Sequence, residues 1–377
     1  MSNRRLSSRI TLSALSVATA GGTAEAATAS PETTLEEIVV TARGRMEAVI
    51  DVPYNISAVS GAAIDQNRIA DTAELLRTVP GVVMADKGGR NSSVVNQIIM
   101  RGVNMDGGAF GDYSVSTAAP VSTYYNNTPL FASFMLRDLE RVEVLRGPQG
   151  TLYGSGSLGG TVRYILRDPA LDATTGSLRL GASHATGSGS AGWDGDFTLN
   201  VPLGSTFAVR AAVSTVQDPG IIDLPNAYRR GADGIPVGPG GDILSPDPVF
   251  DRLKDVDFYH ATYARIALRW QPSDKLNFVL SHVYEKDHSG GRRARTAGVN
   301  GYGQAYGKYE MGSGMTEPYE RRGQLTALEA TVDLGFATLT SSSSYYDNHG
   351  SSISNNSGFY THVINDLGYW GFYFRLC

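Results

Sequence analysis

Hydrophobic patterning divides the chain near residue 170. Ahead of that point short alternating runs are interleaved with short helical patterns, whereas beyond it long alternating runs recur at regular intervals. In the first half, residues 55–59 carry the alternation of a short strand, and residues 61–69 place Ile64 and Ile69 on a helical stripe. Asp71, with Glu74 three positions on, is an N-cap signal for a helix carrying Leu75 and Leu76, and Pro80-Gly81 stops it. A strand is expected at residues 97–100, and a strand-turn-strand from Thr123-Tyr124-Tyr125 to Pro129-Leu130. Residues 141–146 alternate strictly, with Val142, Val144 and Arg146 on one face and Glu143 and Leu145 on the other. The alternation breaks at Gly147-Pro148, where proline lacks a ladder donor. Gly150, Gly154, Gly156, Gly159 and Gly160 then supply tight turns before a second strand at residues 161–166, closed by Asp168-Pro169. Residues 46–168 read as one compact α+β domain.

The second half has a different texture. Leu178, Leu180 and Ala182 alternate with Arg179 and Gly181; Phe197, Leu199 and Val201 with Thr198 and Asn200; Phe207, Val209, Ala211 and Val213 with Arg210 and Ser214. Ala264, Ile266, Leu268 and Trp270 alternate with Arg265 and Arg269, and Leu276, Phe278 and Leu280 with Asn277 and Ser281. Each run offers one face to lipid and one to water, the signature of a transmembrane β-barrel. Connection lengths agree. The turns at residues 202–205, 271–274 and 334–335 are short, while residues 217–257 and 286–323 are long, polar and glycine-rich. Short turns at one end and long loops at the other match the two ends of an outer-membrane barrel. Trp270, beside a short turn, suits either an interfacial girdle or a core.

Composition narrows the class. The chain has 377 residues, with 44 Gly, 19 Tyr and 12 Phe, and a net charge of −5. It has no apolar run long enough for a membrane helix, which needs about 18 residues or more. The mild acidity gives no case for nucleic acid. One cysteine, Cys377, forms no internal disulfide. The N-terminus carries Arg4, Arg5 and Arg9, an apolar run at residues 10–20, and Ala24-Glu25-Ala26, an A-x-A site. We therefore expect a secretory signal peptide over residues 1–26, followed by a tether over residues 27–45.

Catalytic chemistry finds no foothold. Gly154, Gly156 and Gly159 fit G-x-G-x-x-G, but a dinucleotide site needs a helix after the glycines, and here the β-branched run at residues 161–166 follows. His184, His260, His282, His288, His349 and His362 show no zinc spacing. No G-x-S-x-G elbow occurs. The expectation is a non-enzyme without cofactor or metal.

The stretch RVEVLRGPQGTLYGSGSLGGTVRYILRDP at residues 141–169, with Arg101-Gly102 before it, resembles the plug domain of TonB-dependent outer-membrane receptors. The resemblance implies a fold class of α+β plug (residues 46–168) followed by an antiparallel transmembrane β-barrel (residues 169–377). It implies a receptor in the cell outer membrane, monomeric when whole, importing a scarce ligand. Ferric siderophore leads, ahead of haem, cobalamin or oligosaccharide. A secreted β-rich binding or adhesion protein is the alternative from another class. The β-branched segment Ile38, Val39, Val40, Thr41 and Ala42 resembles the TonB box, an isolated strand that adds to a sheet edge of the periplasmic domain of TonB. Its plainer alternative is the first strand of the globular domain. By resemblance, Arg101 and Arg146 are plug-barrel contacts that pair with glutamates on late barrel strands. Phe110, Tyr113, Phe131 and Phe134 are candidate ligand contacts by stacking, although aromatics in glycine loops also occur without a ligand.

Strand number departs from the resemblance. The alternating runs after the plug give about seven or eight strands, where plugged outer-membrane transporters have about 22. An eight-strand barrel holds little beyond its own side chains. A domain of about 120 residues has a radius of gyration of roughly 13–14 Å and does not fit inside. The expectation is an incomplete barrel with unpaired edges near Leu178 and Tyr345, and with Arg101 and Arg146 lacking their partners.

Overall fold

The structure is a computed structural model that describes residues 10–13, 39–40, 47–48, 55–67, 69, 71–85, 97–103, 120–130, 134–154, 156–232, 237, 249–300 and 303–353. Its first half comprises β1 (Ile10–Ser13), β2 (Val39–Val40), β3 (Glu47–Ala48), β4 (Ile56–Ser60), α1 (Gly61–Gln66), α2 (Thr72–Arg77), β5 (Val82–Ala85), β6 (Gln97–Met100), β7 (Val121–Tyr125), β8 (Thr128–Leu130), β9 (Leu139–Arg146), α3 (Gly150–Tyr153) and β10 (Gly160–Leu166). The second half comprises β11 (Thr175–Ser183), β12 (Gly192–Pro202), β13 (Phe207–Asp218), β14 (Leu224–Tyr228), β15 (Phe250–Leu253), β16 (Tyr259–Ser273), β17 (Leu276–Ser289), β18 (Tyr319–Asp333) and β19 (Thr338–Ser352).

The plug is built on a five-stranded sheet in the order β4-β9-β10-β7-β8. Strand β9 is its axis. Val142, Glu143, Val144 and Leu145 are all fully buried, so both faces of the strand are covered. The helices begin where side chains satisfy free backbone donors: Ser60 accepts from the Ala63 N–H at 3.2 Å, and Asp71 from the Glu74 N–H at 2.8 Å. Between β9 and β10 the chain turns on Gly147, whose φ of 112° is a left-handed value costly to any other residue. The short helix α3 lies inside this connection, ahead of the G-x-G-x-x-G glycines, and those glycines run directly into β10. No helix follows them, so the nucleotide reading has no structural support. Gly160 is needed for packing, since a Cβ there would lie 2.3 Å from the Leu145 carbonyl oxygen.

The second half forms an eight-stranded antiparallel sheet in the order β1-β11-β12-β13-β16-β17-β18-β19. The strand from the N-terminal region, β1, pairs with β11 from Ile10 opposite Ala182 to Ser13 opposite Arg179. The edge at Leu178 is therefore partly covered, contrary to expectation. The strands after the plug join through 203–206, 274–275 and 334–337 at one end, and through 184–191, 219–258 and 290–318 at the other. Several strands outrun their apolar pattern. β17 and β18 take in residues 286–289 and 319–323, whose outward side chains are Lys286, His288, Glu320 and Arg322, so no apolar contrast marks them. Strand β16 continues through Gln271, Pro272 and Ser273 with a register shift after Trp270, the irregularity that lets a strand carry proline.

The two faces of this wall differ as the alternation requires. Leu178, Leu180, Phe197, Leu199, Val213, Ile266, Leu280 and Leu328 are exposed on one face, while Arg210, Arg265, Glu285, Asp287 and Arg321 are buried on the other, beneath the plug. Trp270, 50% exposed and stacked on Phe278 with centroids 5.4 Å apart, is a surface aromatic rather than a core one. The connections at the long-loop end are more structured than their composition suggests. Ile221, Ile222, Leu224, Ala227, Val256 and Met311 form a separate apolar core drawn from both long connections. The same two segments are stitched by Met311 N–H to Asp223 O at 2.9 Å, by Asp223 N–H to Tyr309 O at 2.8 Å, and by Arg252 donating to both Asp223 and Glu310.

Candidate functional site: the seam between plug and wall

The richest chemistry among the described residues lies where the plug meets the inner face of the wall. Asp138, which immediately precedes β9, has a side chain only 1% exposed and receives guanidinium groups from two adjacent wall strands. Arg210 of β13 donates from Nε at 2.9 and 3.1 Å, and Arg265 of β16 donates to the second carboxylate oxygen. Arg265 also donates to the Arg167 carbonyl at 2.7 Å. Next along the chain, Arg137 forms an ion pair with Asp196 of β12 at 2.7 Å. Asp138 and Arg137 thus present opposite charges to neighbouring parts of the wall.

The seam continues around the plug. The Met135 N–H donates to Glu285 of β17 at 2.6 Å, and Glu285 and Asp287 hold Arg321 of β18. Asn126 and Asn127 donate to the two oxygens of Glu329 at 3.1 and 2.7 Å. The Tyr125 hydroxyl meets that of Tyr263 at 3.4 Å, and burial pushes the Tyr125 phenol well above its ordinary pKa, so it stays protonated. Ala212, Tyr263, Val283 and Leu325 of the wall share one apolar cluster with Val142, Val144, Val162 and Tyr164 of the plug sheet.

The residues singled out from sequence fall in several places. Phe110, Tyr113 and Phe131 lie outside the described residues. Phe134 lies within the seam. It is 4% exposed, with its ring against Tyr125 (5.3 Å) and Tyr346 of β19 (6.2 Å), and serves as core of the seam. Arg146 stays within the plug, donating to the Pro80 carbonyl at 2.6 Å and the Ser57 hydroxyl at 2.9 Å. Arg101 is exposed, at φ 51°, with its guanidinium over Gly147. In this structure neither arginine is seen pairing with a wall carboxylate, and the described ion pairs to the wall are those of Arg137 and Asp138. The charged pair in Leu136-Arg137-Asp138-Leu139 was the available signal, but its partners lie 59 to 127 positions further along the chain, beyond any local pattern.

Of the segment Ile38, Val39, Val40, Thr41 and Ala42, the structure describes Val39 and Val40. They pair with their own downstream neighbours, Val39 opposite Ala48 and Val40 opposite Glu47. Val40 is fully buried against Ile56 and Leu145. The pair Val39–Val40 is therefore docked on the plug, because the β-branched side chain of Val40 finds apolar cover on β4 and β9.

Comparison with known proteins bears on the same regions. Residues 48–161 match the family model of the TonB-dependent Receptor Plug Domain. The chain is 30% identical over 178 residues to the Hemin receptor of Yersinia pestis, covering 46% of this chain and 25% of that protein. It is 29% identical over 155 residues to the Vitamin B12 transporter BtuB of Vibrio vulnificus, covering 39% and 23%. Among solved structures, the siderophore receptor PirA from Pseudomonas aeruginosa is similar with a TM-score of 0.50 at 17% identity, over 80% of this chain and 42% of that one. A mutant of the ferric enterobactin receptor PfeA from the same organism gives 0.52 at 16% identity, over the same shares. At these identities the structural likeness shows the fold. The chain spans about a quarter of the length of the curated relatives it matches.

Proposed function

We propose that this chain, which carries the plug domain of the TonB-dependent receptors at residues 48–161, supplies the plug and the first wall strands of an outer-membrane receptor for energised ligand uptake. The carrying observation is the seam: a plug matching that family is bound by buried ion pairs to the inner face of an antiparallel wall whose outer face is apolar. The family consists of transport receptors rather than enzymes, so the work is binding and passage, with no chemistry on the ligand.

In this reading residues 1–26 direct export and are removed, which takes β1 from the sheet and frees the β11 edge it covers here; the wall sits in the outer membrane, and Ile38, Val39, Val40, Thr41 and Ala42 pair with the periplasmic domain of TonB. Such pairing rests on main-chain hydrogen bonds, so the β2–β3 ladder and TonB compete for one backbone edge. The ligand is proposed from the classes that the relatives' names carry, hemin, vitamin B12 and siderophores. Ferric siderophore stands first by resemblance. The 30% identity to a protein named Hemin receptor favours haem as the second reading.

Outer-membrane fractionation with heat-modifiable gel mobility tests the placement, and recovery in the soluble fraction would reject it. Titration of the membrane-embedded receptor with a ferric catecholate, haemin and cobalamin, followed by intrinsic fluorescence, tests the ligand. Saturable binding of the catecholate supports the first reading, and binding of haemin alone replaces it with the second.

A further inference from the structure

The segment 134–138 lies across the wall rather than along it. Phe134 meets Tyr346 of β19 at 6.2 Å and Arg321 of β18 at 5.8 Å. Met135 donates to Glu285 of β17, Asp138 takes Arg265 of β16 and Arg210 of β13, and Arg137 pairs with Asp196 of β12. One short stretch of plug thereby touches β12, β13, β16, β17, β18 and β19, which are consecutive in the sheet.

Chain geometry shows how tightly this is drawn. Five extended residues reach about 17 Å, whereas six strands about 4.8 Å apart span about 24 Å. The outermost contacts must come from long side chains, and the residues found there are Phe134 and Arg137. Asp138 adds a backbone observation, because its φ of 56° is a left-handed value that residues other than glycine rarely adopt. Such a conformation persists where the surroundings over-determine it. Glycine would relieve the backbone there but would leave Arg210 and Arg265 without their carboxylate.

We propose that residues 134–138 form a strap that fixes the plug to its wall, and that Asp138 is its positioning residue. The strap is an attachment separate from the one that family resemblance assigns to Arg101 and Arg146. It rests on reading residues 175–352 as barrel wall. A pull on Val39–Val40 is resisted at Asp138, so the strap side of the plug stays in place while the coupling segment is drawn away.

A protease site at residues 172–174, which are exposed between β10 and β11, allows the plug to be cut from the wall in the full chain after extraction from outer membranes. Retention is read by co-purification through a tag on the wall. Wild type, Arg101→Ala and Arg146→Ala are expected to keep the cut plug. Asp138→Asn, equal in size but uncharged, is expected to release it roughly tenfold faster or more. Asp138→Lys is expected to release it as well, and addition of Arg210→Glu and Arg265→Glu to that variant to restore retention. Equal retention by wild type and Asp138→Asn overturns the strap alone. Retention lost in Asp138→Asn and not regained by the charge exchange assigns the residue to plug folding and overturns the proposal too. Recovery of the chain from the soluble fraction overturns the wall reading, and the strap with it.

Discussion

The plug sheet and the barrel wall both bury charge, but they satisfy it from different sources. In the plug, Glu143 is fully buried and accepts from Arg141 at 2.8 Å and Arg163 at 2.6 Å, all three on paired strands of one sheet. In the wall, Arg210 and Arg265 sit on neighbouring strands and find their carboxylate on another domain, at Asp138. A buried ion pair is weak evidence for stability, but removing one partner of a buried pair is strongly destabilising. The plug's buried Glu143 is therefore satisfied within its own sheet, whereas Arg210 and Arg265 of the wall meet Asp138 only when the plug is seated. The sharpest form of this contrast is between fragments. Residues 46–168 should unfold cooperatively in urea, whereas residues 169–353 in detergent should show no cooperative transition until the plug fragment is added. A cooperative transition of the wall fragment alone would end the comparison.

Glu143→Leu should have the largest effect, because it removes the buried carboxylate that Arg141 and Arg163 share, leaving Arg141 to Glu140 and Arg163 to Asn126 and Asn127. We expect a loss of about 3–5 kcal/mol, measured by urea unfolding of the plug fragment. Phe134→Ala separates plug from seam. In the full chain it should cost about 3 kcal/mol, as for a buried phenylalanine, and clearly less in the plug fragment, where Tyr346 is absent. A drop in ligand affinity with unchanged stability would instead return Phe134 to a ligand-binding role. Val40→Ala should loosen the docked coupling segment by about 1–2 kcal/mol of lost apolar burial and so raise cross-linking to TonB. Val40→Pro should lower that cross-linking, since proline removes a ladder donor. The smallest effect is expected at the start of α2, where Asp71→Ala removes an exposed cap and should cost about 1 kcal/mol in fragment and full chain alike.

Most of the plug was legible because its signals are local. Asp71 lies three residues from the donor it satisfies, and the alternation of residues 141–146 and 161–166 marks β9 and β10 directly. The wall was legible where its outer face is apolar, at Leu178, Phe197, Ile266 and Leu280, and illegible where that face turns polar, at Lys286, His288, Glu320 and Arg322. Sequence could not disclose the seam. Asp138 and Arg265 are 127 positions apart, and their meeting depends on strand register and on how the plug is seated, neither of which leaves a periodic trace. The docking of Val40 was left as the plainer of two alternatives for a related reason. A short β-branched run looks the same whether its cover lies in its own chain or in a partner.

The shared core at the long-loop end has a bearing on descent and on engineering. Met311 comes from one connection, Ile222 and Leu224 from the other, and Arg252 grips acidic residues on both. Neither connection can drift in sequence without opening a hole beneath the other, so the two should vary between receptors as a matched pair. A chimera that grafts residues 219–258 onto a related wall without residues 290–318 would carry Ile221, Ile222 and Leu224 bare into water. Grafted together, they would travel as one transplantable module.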